Sequence, residues 1–283
     1  MPFNCQEEPM PVTLSDLLSE LELIVPRSLA ESWDNVGLLI GNPRREIRSC
    51  LLGLDPTLSL LEEAISLGAD TLITHHPCIF RPLSFVHTDT PAGRFLEKAL
   101  AHKINVMACH TNFDTAASGV SDALAGLLGL TDTRALHPAA SSDGSGLGRI
   151  GHYVEPLSIG TFMERVFAAL GSDTVQLAGK APESVRTVAL CGGSGSDLAG
   201  DAFEMGADLY LSAEIKHSTA RWAEDAGFCI IDGGHYGTEK PAMALLKNRL
   251  EELTRTRDWD IKIYESSFEK PAFTFVTQNT FSI

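Results

Sequence analysis

The sequence predicts an α/β fold built from two α/β lobes, each a mainly parallel or mixed sheet flanked by helices. Three observations predict it. Short apolar runs alternate with amphipathic segments along nearly the whole chain, which is the rhythm of βαβ units. A Ser/Gly/Ala stretch at 137–148, HPAASSDGSGLG, interrupts that rhythm and reads as a linker or crossover. Polar motifs rich in His and carboxylates repeatedly follow the apolar runs, where a parallel sheet presents its ligand-binding rim.

The elements follow in order. Thr13 caps a first helix with Asp16 three residues on, Leu14, Leu17, Leu18, Leu21 and Leu23 supply its apolar face, and Pro26 ends it. ESWDNVGLLIGN reads as a loop leading into a short strand. IRSCLLGLD is then a buried strand, PTLSLLEEAISLG a helix opened by Pro56, DTLITHH a strand, PAGRFLEKALAH a helix, INVMACH a strand and SGVSDALAGLLGL a helix. Beyond the interruption, GRIGHYVE, RTVALCGG, DLYLSAE, FCIIDGG and WDIKIYESS read as strands. Between them SIGTFMERVFAALG, DLAGDAFEMGA, HSTARWAEDAG and TEKPAMALLKNRLEEL read as helices. The expected division is one lobe from 1–132 plus 228–283 and a second from 133–227.

Bulk properties exclude several classes. The chain has 283 residues, 44% of them hydrophobic, enough for one sizeable core or two smaller ones. No apolar run reaches the ~20 residues of a membrane-spanning helix. MPFNCQEEPM lacks the basic and apolar regions of a secretion signal, so a disordered lead-in to a cytoplasmic protein is expected. The net charge of −15 repels phosphate backbones and makes nucleic acid a poor partner. Six scattered cysteines with no C-x-x-C pair argue against a disulfide framework and a thiolate zinc site. There is no G-x-S-x-G elbow, and covalent catalysis is not indicated.

Three strand ends carry candidate chemistry. His75 and His76 close DTLITHH; being adjacent they point apart, so they suit two neighbouring ions or, equally, hydrogen-bonded loop positions. HTNFD closes INVMACH with His110 and Asp114, where Asp114 can ligate a divalent ion or cap the following helix. GGHYGTE puts His235 and Glu239 four apart, on one face of a helical turn. Together they offer a mixed nitrogen and oxygen donor set suited to Zn, Fe, Mn or similar divalent ions, in the two-metal arrangement of many hydrolases. LSAEIKH adds Glu214, Lys216 and His217, as an acid, a cation for phosphate and a residue facing the site, or as a cap and solvated charges. The CGGSG turn at 191–195 lacks the P-loop Lys and the full dinucleotide fingerprint, so it reads as a tight turn. Asp34 and Asn35 in SWDNVGLLIG are either Asx-turn residues or a rim of the site.

SWDNVGLLIG, ITHHP, HTNFD, GLGRIG, GGSG, DLYLSAEIKH and GGHYGTE occur in an order that resembles the NIF-three-like family (NGG-one-interacting factor three). Many of its members bear the name type 2 GTP cyclohydrolase I. The resemblance implies two divalent metal ions held by His75, His76, Asp114, His235 and Glu239, two α/β lobes with the site between them, and a ring-shaped homohexamer. The short interval between Gly151 and Glu214 is similar to the family's short form, without an inserted domain. One departure is Ala213 before Glu214, where the family commonly has Gly. Two functions are expected to compete. One is a metal-dependent hydrolase acting on GTP or a related small molecule, with His217, His110 and Glu214 as acid–base residues. The other is a non-catalytic metal-binding or adaptor protein. A catalyst needs open coordination positions, whereas a storage site can be closed.

Overall fold

The computed structural model describes residues 11–140 and 143–274 and contains two sheets. Their strands are β1 (Gly37–Ile40), β2 (Ser49–Gly53), β3 (Thr71–Thr74), β4 (Asn105–Ala108), β5 (Thr131–Pro138), β6 (Gly146–Ser158), β7 (Gln176–Ala178), β8 (Ser184–Ser194), β9 (Leu209–Ala213), β10 (Cys229–Asp232) and β11 (Lys262–Glu265). The first sheet has the order β1-β4-β3-β2-β11, parallel except for β1, which runs antiparallel to β4. The second has the order β5-β6-β8-β9-β10-β7, with β8, β9 and β10 mutually parallel and the remainder antiparallel.

Strand alternation explains why both faces of the first sheet are covered. Cys50, Leu52, Ile73 and Met107 point to one face, against helices Leu14–Ile24 and Pro241–Thr256. Leu51, Leu72 and Val106 point to the other, against helices Leu58–Leu67 and Pro91–Ala101. The second sheet repeats the pattern. Val188, Leu190, Leu209, Leu211 and Ile231 meet helices Val120–Leu128 and Ile159–Leu170, while Ala189, Tyr210 and Ile230 face Ala199, Ala202 and Ala223. Such strands read as continuous apolar runs, which is why the sequence displays them so plainly.

The capping box at Thr13 and Asp16 forms as the sequence indicates, an arrangement worth roughly 1 kcal/mol to the helix. Leu14, Leu17 and Leu21 are buried, but Leu23 is exposed, since nine residues after Leu14 the helix has turned it to the far side. Helix Leu58–Leu67 is capped by the Thr57 side chain rather than opened by Pro56. Arg149 of GLGRIG is buried and bridges Asp122, with further bonds to the carbonyls of Ala116, Gly146 and Gly148. That motif therefore ties the second sheet to the start of helix Val120–Leu128.

Two expectations are corrected. The stretch 137–148 is not a linker between lobes: β5 and β6 pair antiparallel from Thr131 opposite His152 to Pro138 opposite Gly146, and the Ala139 N–H donates to the Ser145 carbonyl. The lobe boundary at 228 is also displaced. Cys229 pairs with Leu209 and Asp232 with Ser212, so β10 belongs to the second sheet. An apolar strand such as CIID needs neighbours on both sides, and β9 and β7 supply them. The chain returns to the first lobe only afterwards, through a five-residue helix His235–Glu239 and then Pro241–Thr256. The lead-in expected at residues 1–10 lies outside the described residues. Among the described residues no helix is long and apolar enough to cross a membrane, and the five described cysteines are free.

Candidate metal centre

The carboxyl ends of the parallel strands of both sheets converge on one point. His75 and His76 follow β3, His110 follows β4, and Asp114 sits on the short helix Thr111–Thr115 directly after it. From the second sheet, Glu214 follows β9, and His235 and Glu239 occupy the five-residue helix after β10. Three overlapping groups of donors lie close enough to surround a cation: His75, His76 and His110; His76, His235 and Glu239; and His75, Asp114 and Glu239.

Glu239 is the hub. Its Oε1 lies 3.6 Å from His75 Nε2, and its Oε2 lies 3.2 Å from His76 Nε2 and 3.0 Å from His235 Nε2. His75 Nε2 is also 3.6 Å from Asp114 Oδ1. His235 and Glu239 thus share a helical face, as their spacing requires.

Each imidazole is anchored through its other nitrogen. His75 Nδ1 meets the Cys109 carbonyl, His76 Nδ1 meets Asp55, His110 Nδ1 meets Asp34 and His235 Nδ1 meets Glu214, all at 2.8–3.0 Å. That arrangement fixes each ring through Nδ1 and turns its Nε2 toward the cluster, the pattern of histidines that ligate metals. Asp55, a residue the sequence reading passed over, follows β2 at the same rim. Asp34 reaches His110 because β1 is antiparallel to β4, which sets the residues before Gly37 beside the end of β4.

The electrostatics are those of a site built for positive charge. Burial opposes ionisation of Glu239, but the charges and hydrogen bonds of His75, His235 and His76 hold its carboxyl well below the usual range. Burial works against the charged form of His76, yet its bonds to Asp55 and Glu239 lift its pKa to about 10. Burial pushes Asp114 up to about 7, with His75 pulling it back and Glu239 pushing it further. For His110, burial and then the neighbouring His75 charge push the pKa down. His75 Nε2 and Asp114 Oδ1 are buried without a hydrogen-bond partner, and Glu239 Oε2 is buried with only the His76 and His235 nitrogens near it. A buried polar atom left unpaired costs roughly 1–3 kcal/mol. The unpaired imidazole nitrogen and carboxylate oxygen, with the Glu239 carboxylate between the rings, fit a divalent ion by position and donor chemistry.

The CGGSG turn is part of this centre, which sequence reasoning did not recognise. Gly193 adopts φ +65, donates its N–H to Thr238 Oγ1, and lies so close to Glu239 that a Cβ there would stand 2.0 Å from Oε1. The glycines therefore make room for the hub carboxylate rather than for a phosphate. Only their position after a strand hinted at a rim role.

His110 is at the cluster, and Glu214 sits on its edge, bonded to His235 and exposed to solvent. His217 is exposed in the first turn of helix His217–Ala226, outside the donor groups. Lys216 pairs with Asp197 on the surface. His235 and Glu214 also line an open cleft of about 1450 Å³ that runs between the lobes, past Gly171–Gln176 and Lys240.

A model of the Duf34/NIF3 (NGG1p interacting factor 3) family matches residues 12–271. The chain belongs to that family. It is 35% identical to a GTP cyclohydrolase 1 type 2 homolog of Streptomyces coelicolor, over 89% of this chain and 90% of that one. It is 34% identical to the protein of that name from Lactococcus lactis, over 89% and 95% of the two chains. Among solved structures, a Bacillus cereus protein related to NIF3 is 26% identical with a TM-score of 0.87, covering 94% of this chain and 99% of that one. HcgD from Methanocaldococcus jannaschii, in its reduced form, is 28% identical with a TM-score of 0.76, covering 92% and 100%.

Proposed function

We propose that the chain is a hydrolase dependent on two divalent metal ions, acting in the cytoplasm on GTP or a related small molecule, and assembled as a homohexamer. The observation that carries the metal reading is the sharing of Glu239 between two ligand trios: His75 and Asp114 with Oε1 on one side, His76 and His235 with Oε2 on the other. The names of the curated relatives supply the substrate class.

Divalent ions in such a site supply Lewis acidity and lower the pKa of bound water toward ~7. The remaining work falls to the chain. Glu239 joins the trios, while Asp55, Glu214 and the Cys109 carbonyl hold His76, His235 and His75 with Nε2 toward the cluster. Asp34 accepts from His110 Nδ1, which leaves His110 Nε2 as the base. Because burial and His75 depress its pKa, that atom is unprotonated near pH 7 and can take a proton there. Glu214, exposed beside the cleft, is the second proton carrier, and His217 is further out.

Non-catalytic metal handling is the second reading, and one observation favours it: His75 is wholly buried and Glu239 only 4% exposed, so two of the three donors in the trio with Asp114 are closed to solvent. Elemental analysis with anomalous diffraction at metal edges, then GTP turnover by wild type and Glu239→Ala, separates the two. Two ions and turnover lost in the variant are expected. Metal retained without Glu239 would overturn the site. Intact GTP over a fully loaded protein would leave the second reading.

A further inference from the structure

Beside His110 stand two large aromatic side chains that the fold does not bury. Trp33 is 55% exposed and Phe80 is 40% exposed. With His110 they make a three-ring corner: Trp33 to Phe80 at 5.8 Å and 64°, Trp33 to His110 at 6.3 Å and 75°, and Phe80 to His110 at 6.2 Å and 73°. An edge-to-face contact covers at most one face of one ring, so the exposed Trp33 and Phe80 keep ring surface on which a flat ring can stack.

The backbone beneath is pinned. Asp34 accepts from Thr111 N, Thr111 Oγ1 and His110 Nδ1, and Asn35 Nδ2 donates to the Ile79 carbonyl next to Phe80. The Glu31 N–H donates to Thr111 Oγ1. Fixed loops that hold an indole and a phenyl ring out in water spend apolar area the core does not use, which marks a contact surface. Its occupant has a recognisable chemistry. The Arg81 guanidinium lies over the Phe80 ring, 5.5 Å from its centroid, so it takes one face of that ring and places a cation at the corner in a chain of net charge −15. Aromatic faces with an adjacent guanidinium suit a flat ring that carries an anion.

We propose that Trp33 and Phe80 are the stacking surfaces for a heteroaromatic base, and that Arg81 receives its phosphate. The proposal rests on the hydrolase reading of the neighbouring cluster and names the residues that select its substrate. It also gives SWDNVGLLIG a purpose: Asp34 and Asn35 hold the loop, and Trp33 is what they hold.

The test uses the metal-loaded full chain with Trp222→Phe and Trp259→Phe, so that Trp33 is the sole tryptophan fluorophore. Guanosine and GTP are expected to quench its emission, and inorganic triphosphate is not. By calorimetry in the otherwise native chain, Trp33→Ala and Phe80→Ala are expected to weaken GTP binding roughly 5- to 150-fold, the range of one base–aromatic stack. Arg81→Ala weakens GTP but spares guanosine, and metal content stays the same in all three. No quenching by any nucleoside would overturn the proposal. So would GTP binding and turnover unchanged in Trp33→Ala, while the hydrolase reading would survive. A changed sedimentation state with unchanged ligand binding would make the pair a subunit contact and overturn it equally. Quenching by guanosine with GTP never hydrolysed would keep the stacking surface and remove the hydrolase reading.

Discussion

On the side of the first sheet, His75 is fully buried, with Asp114 beside it and the Cys109 carbonyl behind it. In the other trio, which joins His76 of the first sheet to His235 after the second, His235 is 34% exposed and His76 22% exposed, and their anchors, Glu214 and Asp55, reach solvent. Both trios use the same carboxylate. The imidazole of the first set is closed and held by main chain, and the two of the second are open and held by side chains. A closed position favours retention, and an open one favours exchange and access. If both trios hold ions, the asymmetry predicts different work for two donor sets that composition alone makes look alike.

The largest effect belongs to the shared atom pair. Glu239→Gln should lower affinity at both positions by more than the 10–100-fold typical of losing an outer partner, read as near-zero metal by elemental analysis. Retention of one full equivalent would show that the trios do not share it. His235→Ala and His75→Ala then separate the two sides: the first should keep one equivalent and lose the exchangeable one, the second should lose the slowly released one. Equal losses would break the asymmetry. Gly193→Ala comes next, because a Cβ would meet Glu239 Oε1 and the positive φ adds about 1–2 kcal/mol of strain. A lower melting temperature together with roughly tenfold weaker metal binding is expected, whereas Gly200→Ala, with nothing near its Cβ, should change neither. Asp55→Asn should weaken binding about 10–100-fold, and Glu214→Gln, replacing the more exposed anchor, by less.

Protons compete with metal, and the sign of that competition is fixed by His76. Its pKa is raised from 6.5 to about 10 in the metal-free fold. The stability it contributes is complete below pH 6.5 and is lost as pH rises through about 10. The melting temperature of chelator-treated protein should therefore fall across that window, while metal affinity rises as ions displace protons. His76→Gln should flatten its share of the slope, and an unchanged profile would show that His76 is not protonated in the metal-free fold.

The central strands and the His and carboxylate motifs at their ends were legible because buried parallel strands leave uninterrupted apolar runs. β5 and β7 were not: TDTRALHP is mostly exposed and QLA is a three-residue edge, so neither carries that pattern. The boundary at 228 failed because FCIIDGG leads into a motif that serves the first lobe while its strand pairs in the second. The anchors of the imidazoles lie 21 to 76 residues away in sequence, so only tertiary structure joins Asp55 to His76 or Asp34 to His110. Gly193 was visible as a turn, but its clearance for Glu239 depends on a helix 42 residues further on, which no local pattern encodes.

The five-residue helix His235–Glu239 is where the chain crosses from the second lobe back to the first. An ion held by His75 and Glu239 would staple residues far apart in sequence and on opposite lobes, much as a crosslink does. Neither lobe could then unfold without releasing it. Loaded protein should melt in a single cooperative transition, and stripping the ions should let the lobes part company and melt in sequence.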